Sequence, residues 1–182
     1  MHYTFVSALI FFFFISTNNV SASLVRATCK HLSKTDRQNI NYDFCVSKLE
    51  SDSRSSSSTA KQLGEISFQL TISKAEEVLS TMDRVLKQPS IDLHVEDSLK
   101  VCWDFYVTIP VDLREGLAAL KGYDYRKADT TVSSVVKKAS TCGTVIKDDS
   151  RGVVSVVKEQ TGEFGKLSAI SLGFTKLLRV VN

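Results

Sequence analysis

Four cysteines, Cys29, Cys45, Cys102 and Cys142, are the residues of this chain best placed to do chemistry. None belongs to a Cys-x-x-Cys pair, so neither a redox couple nor a zinc site is indicated. Their spacing points to cross-linking instead. Cys102 and Cys142 lie 20 residues on either side of Gly122. If the chain turns at Gly122-Tyr123 between two antiparallel helices, residues equidistant from the turn face each other and the two thiols meet. Cys29 and Cys45 are close enough in sequence to close a local loop. Of the three connectivities that four cysteines allow, we read Cys29–Cys45 and Cys102–Cys142. On a chain-entropy estimate the short loop contributes about 3 kcal/mol and the long one about 4 kcal/mol.

Other chemistry is hard to find. His31 and His94 have no second His or Cys at metal-ligand spacing, and His2 falls in a segment read below as a leader. The chain has no Gly-x-Ser-x-Gly elbow, no phosphate loop and no His-Glu-x-x-His. Asp148 and Asp149 are adjacent acids, better suited to a solvated loop than to a shared substrate. Trp103 adjoins Cys102 and reads as packing around the bridge. The expectation is a chain that is no enzyme and holds no cofactor and no metal. A net charge of +3 without a basic stripe interleaved with aromatics argues against nucleic acid.

The elements that position the cysteines follow from apolar spacing. Ala8–Ile15 is an apolar run with four consecutive phenylalanines, too short to cross a bilayer, which takes about 20 residues. Val20-Ser21-Ala22 fits a signal-peptidase site, so residues 1–22 read as a signal peptide, with cleavage after Ser23 as the alternative. Residues 23–182 are the mature domain: an N-terminal hairpin over 23–50 and a four-helix bundle over 59–181. In the hairpin, a short helix from Ser23 to His31 and a second from Tyr42 to about Leu49 are pinned by Cys29–Cys45. A serine-rich connector, Ser51–Ser58, follows.

Thr59–Gln88 is a long helix with Phe68, Ile72, Ala75, Leu79, Met82 and Leu86 on one face, ended by Pro89. Ile91–Val95 is a crossing loop. The second long helix runs from about Glu96 to Lys121 and should kink at Pro110. The third, Asp124 to about Lys147, carries the seam Ala128, Val132, Val135, Ala139, Cys142 and Ile146. Val153–Val157 is ambiguous and open to an extended reading. The fourth starts near Glu159, with Gly162, Gly165 and Gly173 marking close helix contact or a soft first turn. The fold class is all-α: an up-down-up-down bundle with a protruding helical hairpin.

Particular residues resemble a known family. Thr28-Cys29-Lys30, Asn41-Tyr42-Asp43-Phe44-Cys45 and Leu49-Glu50-Ser51-Asp52-Ser53-Arg54-Ser55 resemble the plant invertase and pectin methylesterase inhibitors, in particular the pollen-allergen-like invertase-inhibitor group. Lys121-Gly122-Tyr123-Asp124-Tyr125, Thr141-Cys142 and Ala169-Ile170-Ser171-Leu172 continue the likeness across nearly the whole mature chain.

The resemblance implies the same bundle and disulfides, and an extracellular, apoplastic inhibitor (the vacuole being the alternative) that meets its enzyme in a one-to-one complex, with no membrane contact after signal cleavage. Members that inhibit pectin methylesterase lay a bundle face across the pectin cleft. Carried onto this chain, the matching positions are Asp104, Asp124 and Thr141, while Thr108, Val111 and Thr144 stand where the family can place acids. Members that inhibit acid invertase insert Pro-Lys-Phe from the loop between the second and third bundle helices. Here that loop reads Tyr123-Asp124-Tyr125-Arg126-Lys127. Pectin methylesterase is therefore the expected partner and acid invertase the alternative, with Asp104, Thr108, Asp124, Tyr125, Arg126 and Thr141 as candidate contacts.

Overall fold

The computed structural model describes residues 24–89, 91–146 and 152–181. The signal-peptide reading of 1–22 and the Asp148-Asp149 pair lie outside these residues. Six helices make up the fold: α1 (residues 24–35), α2 (Tyr42–Glu50), α3 (Ala60–Leu86), α4 (Leu93–Lys121), α5 (Tyr125–Ile146) and α6 (Gly152–Val181). Helix α3 packs on α4 and α6, and α5 packs on the same two. The four long helices thus close a ring in which the α3–α6 edge lies across from the α4–α5 edge.

Local chemistry sets the helix ends. Thr59 starts α3 with a capping box: its hydroxyl accepts from Gln62 N–H, and the Gln62 side chain accepts from Thr59 N–H at 2.8 Å. Before it, Ser53–Ser57 forms a short 3₁₀ turn capped by Asp52. The Arg54 guanidinium, bonded to Asp52 at 2.9 and 2.5 Å, holds that carboxyl below the usual carboxylate range. Asp92 caps α4 by accepting from His94 N–H. This cap moves the start of α4 to Leu93, three residues ahead of the expected Glu96, and shortens the crossing loop. Helix α1 likewise runs past His31 to residue 35, where the Thr35 hydroxyl donates to His31 C=O. Val153–Val157 is helical rather than extended: it forms part of α6, and Val157 is buried in the main core. Helix α4 stays unbroken through the buried Pro110.

The main core fills the ring with Phe68, Met82, Leu99, Tyr106, Ile109, Leu113, Val132, Val135, Phe164 and their neighbours. Both bonded pairs are as expected: Cys29–Cys45, with Cα atoms 5.8 Å apart, and Cys102–Cys142, at 4.9 Å. The second sits in the main core and fixes the α4–α5 register. Helix α5 is rich in Val and Thr, which lowers its intrinsic propensity. Its threonine hydroxyls are satisfied along the helix, where Thr130, Thr131, Thr141 and Thr144 donate to carbonyls four residues earlier.

A second apolar cluster seats the hairpin. Val25, Cys29, Leu32, Ile40, Cys45 and Leu49 pack on Leu63 and Ile66 of α3 and on Ala169, Ile170 and Phe174 of α6. Gly173 permits this approach: a Cβ there would lie 3.0 Å from Ile40 and 3.2 Å from Leu32. Gly162 and Gly165 have open space around them, so close contact falls to Gly173 alone of the three. Beneath the hairpin a buried hydroxyl chain joins α3 to α6, with Thr71 and Ser171 at 2.9 Å and Ser171 donating to Ser67 at 3.3 Å. The Ser171 hydroxyl is thus buried but bonded.

Candidate functional site: the α4–α5 face

The candidate contacts divide into two groups. Asp104 and Thr108 are exposed on one stripe of α4, and the Cys102–Cys142 bond sets the exposed Thr141 of α5, next to Cys142, near the level of Asp104, two residues past Cys102. The stripe continues through Val101 and Val111, which are 43% and 56% exposed, with Val107 beside them at 39%. These valines add an apolar component that the acid-and-threonine reading overlooked. Their signal was present in the sequence, as apolar residues off the core face of α4.

The polar side chains on this face are not equally available. Asp104 is exposed and carries no hydrogen bond or ion pair among the described residues. Thr108 is engaged: it donates to Phe105 C=O at 3.1 Å and accepts from Lys138 Nζ at 2.9 Å. Lys138 also pairs with Asp112 at 2.6 Å. Thr141 donates to Lys137 C=O, leaving its oxygen free to accept from a partner.

Asp124, Tyr125 and Arg126 lie at the α4–α5 turn, about 25 Å along α4 from Asp104. Asp124 is a helix cap, its carboxylate accepting from Lys127 N–H at 3.0 Å. Tyr125 is 7% exposed and belongs to the main core. The exposed ring of the turn is Tyr123, at 67%. Its φ of 63° is the left-handed conformation that closes α4: Tyr123 N–H donates to Leu120 C=O, and Asp124 N–H to Ala119 C=O. The ring stands edge-on to Tyr125 and lies 4.6 Å from Lys61 Nζ. Among the described residues, no group of three His, Cys, Asp or Glu could hold a metal ion.

Residues 23–173 match the family described as plant invertase/pectin methylesterase inhibitor. The chain belongs to this family. It is 33% identical over 159 residues to a protein of Platanus orientalis named "Putative invertase inhibitor", the match covering 87% of this chain and 92% of that one. A protein of the same name from Platanus acerifolia is also 33% identical, over 87% of each chain. Two crystal structures share the fold. A mutant form of a pectin methylesterase inhibitor from Arabidopsis superposes with a TM-score of 0.69 at 21% identity, covering 80% of this chain and 95% of that one. A pectin methylesterase inhibitor from Arabidopsis thaliana gives 0.62 at 21% identity, covering 82% and 96%. Among the described residues of this chain, no helix is long and apolar enough to cross a membrane.

Proposed function

We propose that this family member is a secreted protein, not itself an enzyme, that inhibits a plant cell-wall pectin methylesterase by laying the α4–α5 face across the substrate cleft in a one-to-one complex. The observation that carries the reading is that face: a free carboxylate at Asp104 among exposed valines, on two helices joined by a buried disulfide. A rigid surface loses little conformational entropy on docking, so more of the contact energy appears as affinity. A standard interface buries about 1,600 Å² in total, roughly 800 Å² per partner, which two helices of this length can supply. The Asp104 carboxylate makes binding sensitive to salt.

A second target, acid invertase, is favoured by the names of the two Platanus relatives. The absence of Pro-Lys-Phe from the α4–α5 turn speaks against it. The purified mature protein, added separately to a pectin methylesterase and an acid invertase, tests both. Loss of esterase activity alone is the expected result; loss of invertase activity alone transfers the reading to invertase. Loss of neither overturns the inhibitor reading.

A further inference from the structure

An open cleft of about 550 Å³ lies at the α1–α2 turn of the hairpin, where it meets α6. Its charged lining has one sign: Lys34, Arg37 and Lys166, with no carboxylate. All three are exposed. Lys34 and Arg37 have no ion pair or hydrogen bond among the described residues, and Lys166 has only the Phe44 ring, 5.4 Å away. Several cations elsewhere on this side are paired, Arg26 with Glu50, Lys48 with Glu163, and Lys74 with Glu77 and Glu163, whereas Lys176 of α6 lines a separate cleft that also holds Asp36. The carboxylates nearest in sequence are Asp36, which accepts from Asn39 N–H and Nδ2, and the exposed Asp43 in the first turn of α2. Three unshielded like charges around one cleft favour an anion there.

The uncharged lining narrows the class. Asn39 donates its Nδ2 to Asp36 at 2.8 Å, which leaves its carbonyl oxygen facing no partner. Asn41 gives its carbonyl oxygen to Phe44 N–H at 2.9 Å, which leaves its Nδ2 free. The cleft therefore offers a fixed amide acceptor and a fixed amide donor beside the cations. Tyr42 adds a ring that is 37% exposed. Hydroxyls both donate and accept and so match the amides; carboxylates match the cations; the apolar face of a sugar ring matches the tyrosine. An isolated phosphate would be better served by an enclosed site, and a nucleic acid by a longer basic stripe.

We propose that the hairpin cleft binds an acidic polysaccharide, a polyuronide chain whose carboxylates pair with Lys34, Arg37 and Lys166. The hairpin is seated on the α3–α6 edge, across the bundle from the α4–α5 face. The protein can therefore hold a matrix polymer on one side and an enzyme on the other. Binding is measured with no enzyme present, so its failure leaves the inhibitor reading standing, and the reverse.

The test is affinity electrophoresis in gels containing polygalacturonate, its fully methyl-esterified form, neutral dextran or polyphosphate. The native chain should be retarded by polygalacturonate alone, and the retardation should fade with added salt. Lys34→Ala/Arg37→Ala/Lys166→Ala should weaken it about tenfold or more. Lys121→Ala/Arg126→Ala/Lys127→Ala removes the same charge at the α4–α5 turn, outside the cleft, and should leave it unchanged. Circular dichroism on both variants checks that the fold persists. Equal retardation by dextran or by a phosphate polyanion overturns the proposal, as does an equal loss in the two triple variants.

Discussion

At the scale of single residues, two tyrosines carry costs that nearby residues do not relieve. The Tyr106 hydroxyl is fully buried and meets no hydrogen-bond partner among the described residues, while its ring packs edge-on against Phe164 at 5.1 Å. Burial pushes that phenol well above its ordinary value. Tyr106→Phe keeps the packing and removes the orphaned group, so it should stabilise the fold by about 1 kcal/mol; urea denaturation would read this as a rise in midpoint. Tyr123 holds a left-handed backbone that costs a side-chain-bearing residue about 1 kcal/mol. Tyr123→Gly should raise the melting temperature, and a fall would contradict the account of the turn. The turn was legible from Gly122, yet the left-handed residue is the tyrosine after it. Propensity placed the turn correctly but could not say which residue would close it, because the two cap bonds to Ala119 and Leu120 decide that. Asp124 teaches the same caution about carboxylates: it reads as a contact, but its oxygen caps α5, so its removal weakens the helix before it weakens any complex.

At the scale of elements, the disulfides and apolar seams made most of the fold readable. The symmetry about Gly122 fixed the α4–α5 pairing, and the period of the α3 and α5 seams fixed their buried faces. The hairpin was less legible, because its seating depends on contacts distant in sequence: Leu32 and Ile40 against Gly173, and Lys48 reaching Glu163. Glu163 pairs with Lys48 of α2 and, at 2.7 Å, with Lys74 of α3, tying three helices together. Burial pushes its pKa up, but the bonds from Lys48 and Lys74 outweigh this and leave it lowered. A lowered carboxylate contributes stability above its unfolded value, about 4.3 for glutamate, and loses it as pH falls through the folded value. Glu163→Gln should therefore cost about 1 kcal/mol near neutral pH, with the gap closing below about pH 4 in thermal melts across pH. At the α3–α4 contact, a Cβ on Gly116 would lie 2.9 Å from Cε1 of the fully buried Phe68 ring. Gly116→Ala should destabilise by about 1–3 kcal/mol, measurable by chemical denaturation.

At the scale of the whole molecule, the protein is a stiff ring of four helices with different equipment on opposite edges. The α3–α6 edge is covered by the hairpin, its apolar cluster and its ion pairs. The α4–α5 edge is left open, with Asp104 unpaired and three valines in solvent. That asymmetry was not visible in the sequence, since which faces are covered is settled only when the hairpin is seated. It also separates candidate contacts that looked adjacent on paper: Asp104 and Thr141 share one face, whereas Asp124 and Arg126 sit at its end.

The central claim is that the open face occludes an enzyme cleft. Titrating a pectin methylesterase with the native chain and with Asp104→Arg/Val111→Arg tests it most directly. Inhibition complete near one equivalent, weakened about tenfold or more in a variant of unchanged helicity, is the predicted result; equal inhibition by the two proteins would contradict the account.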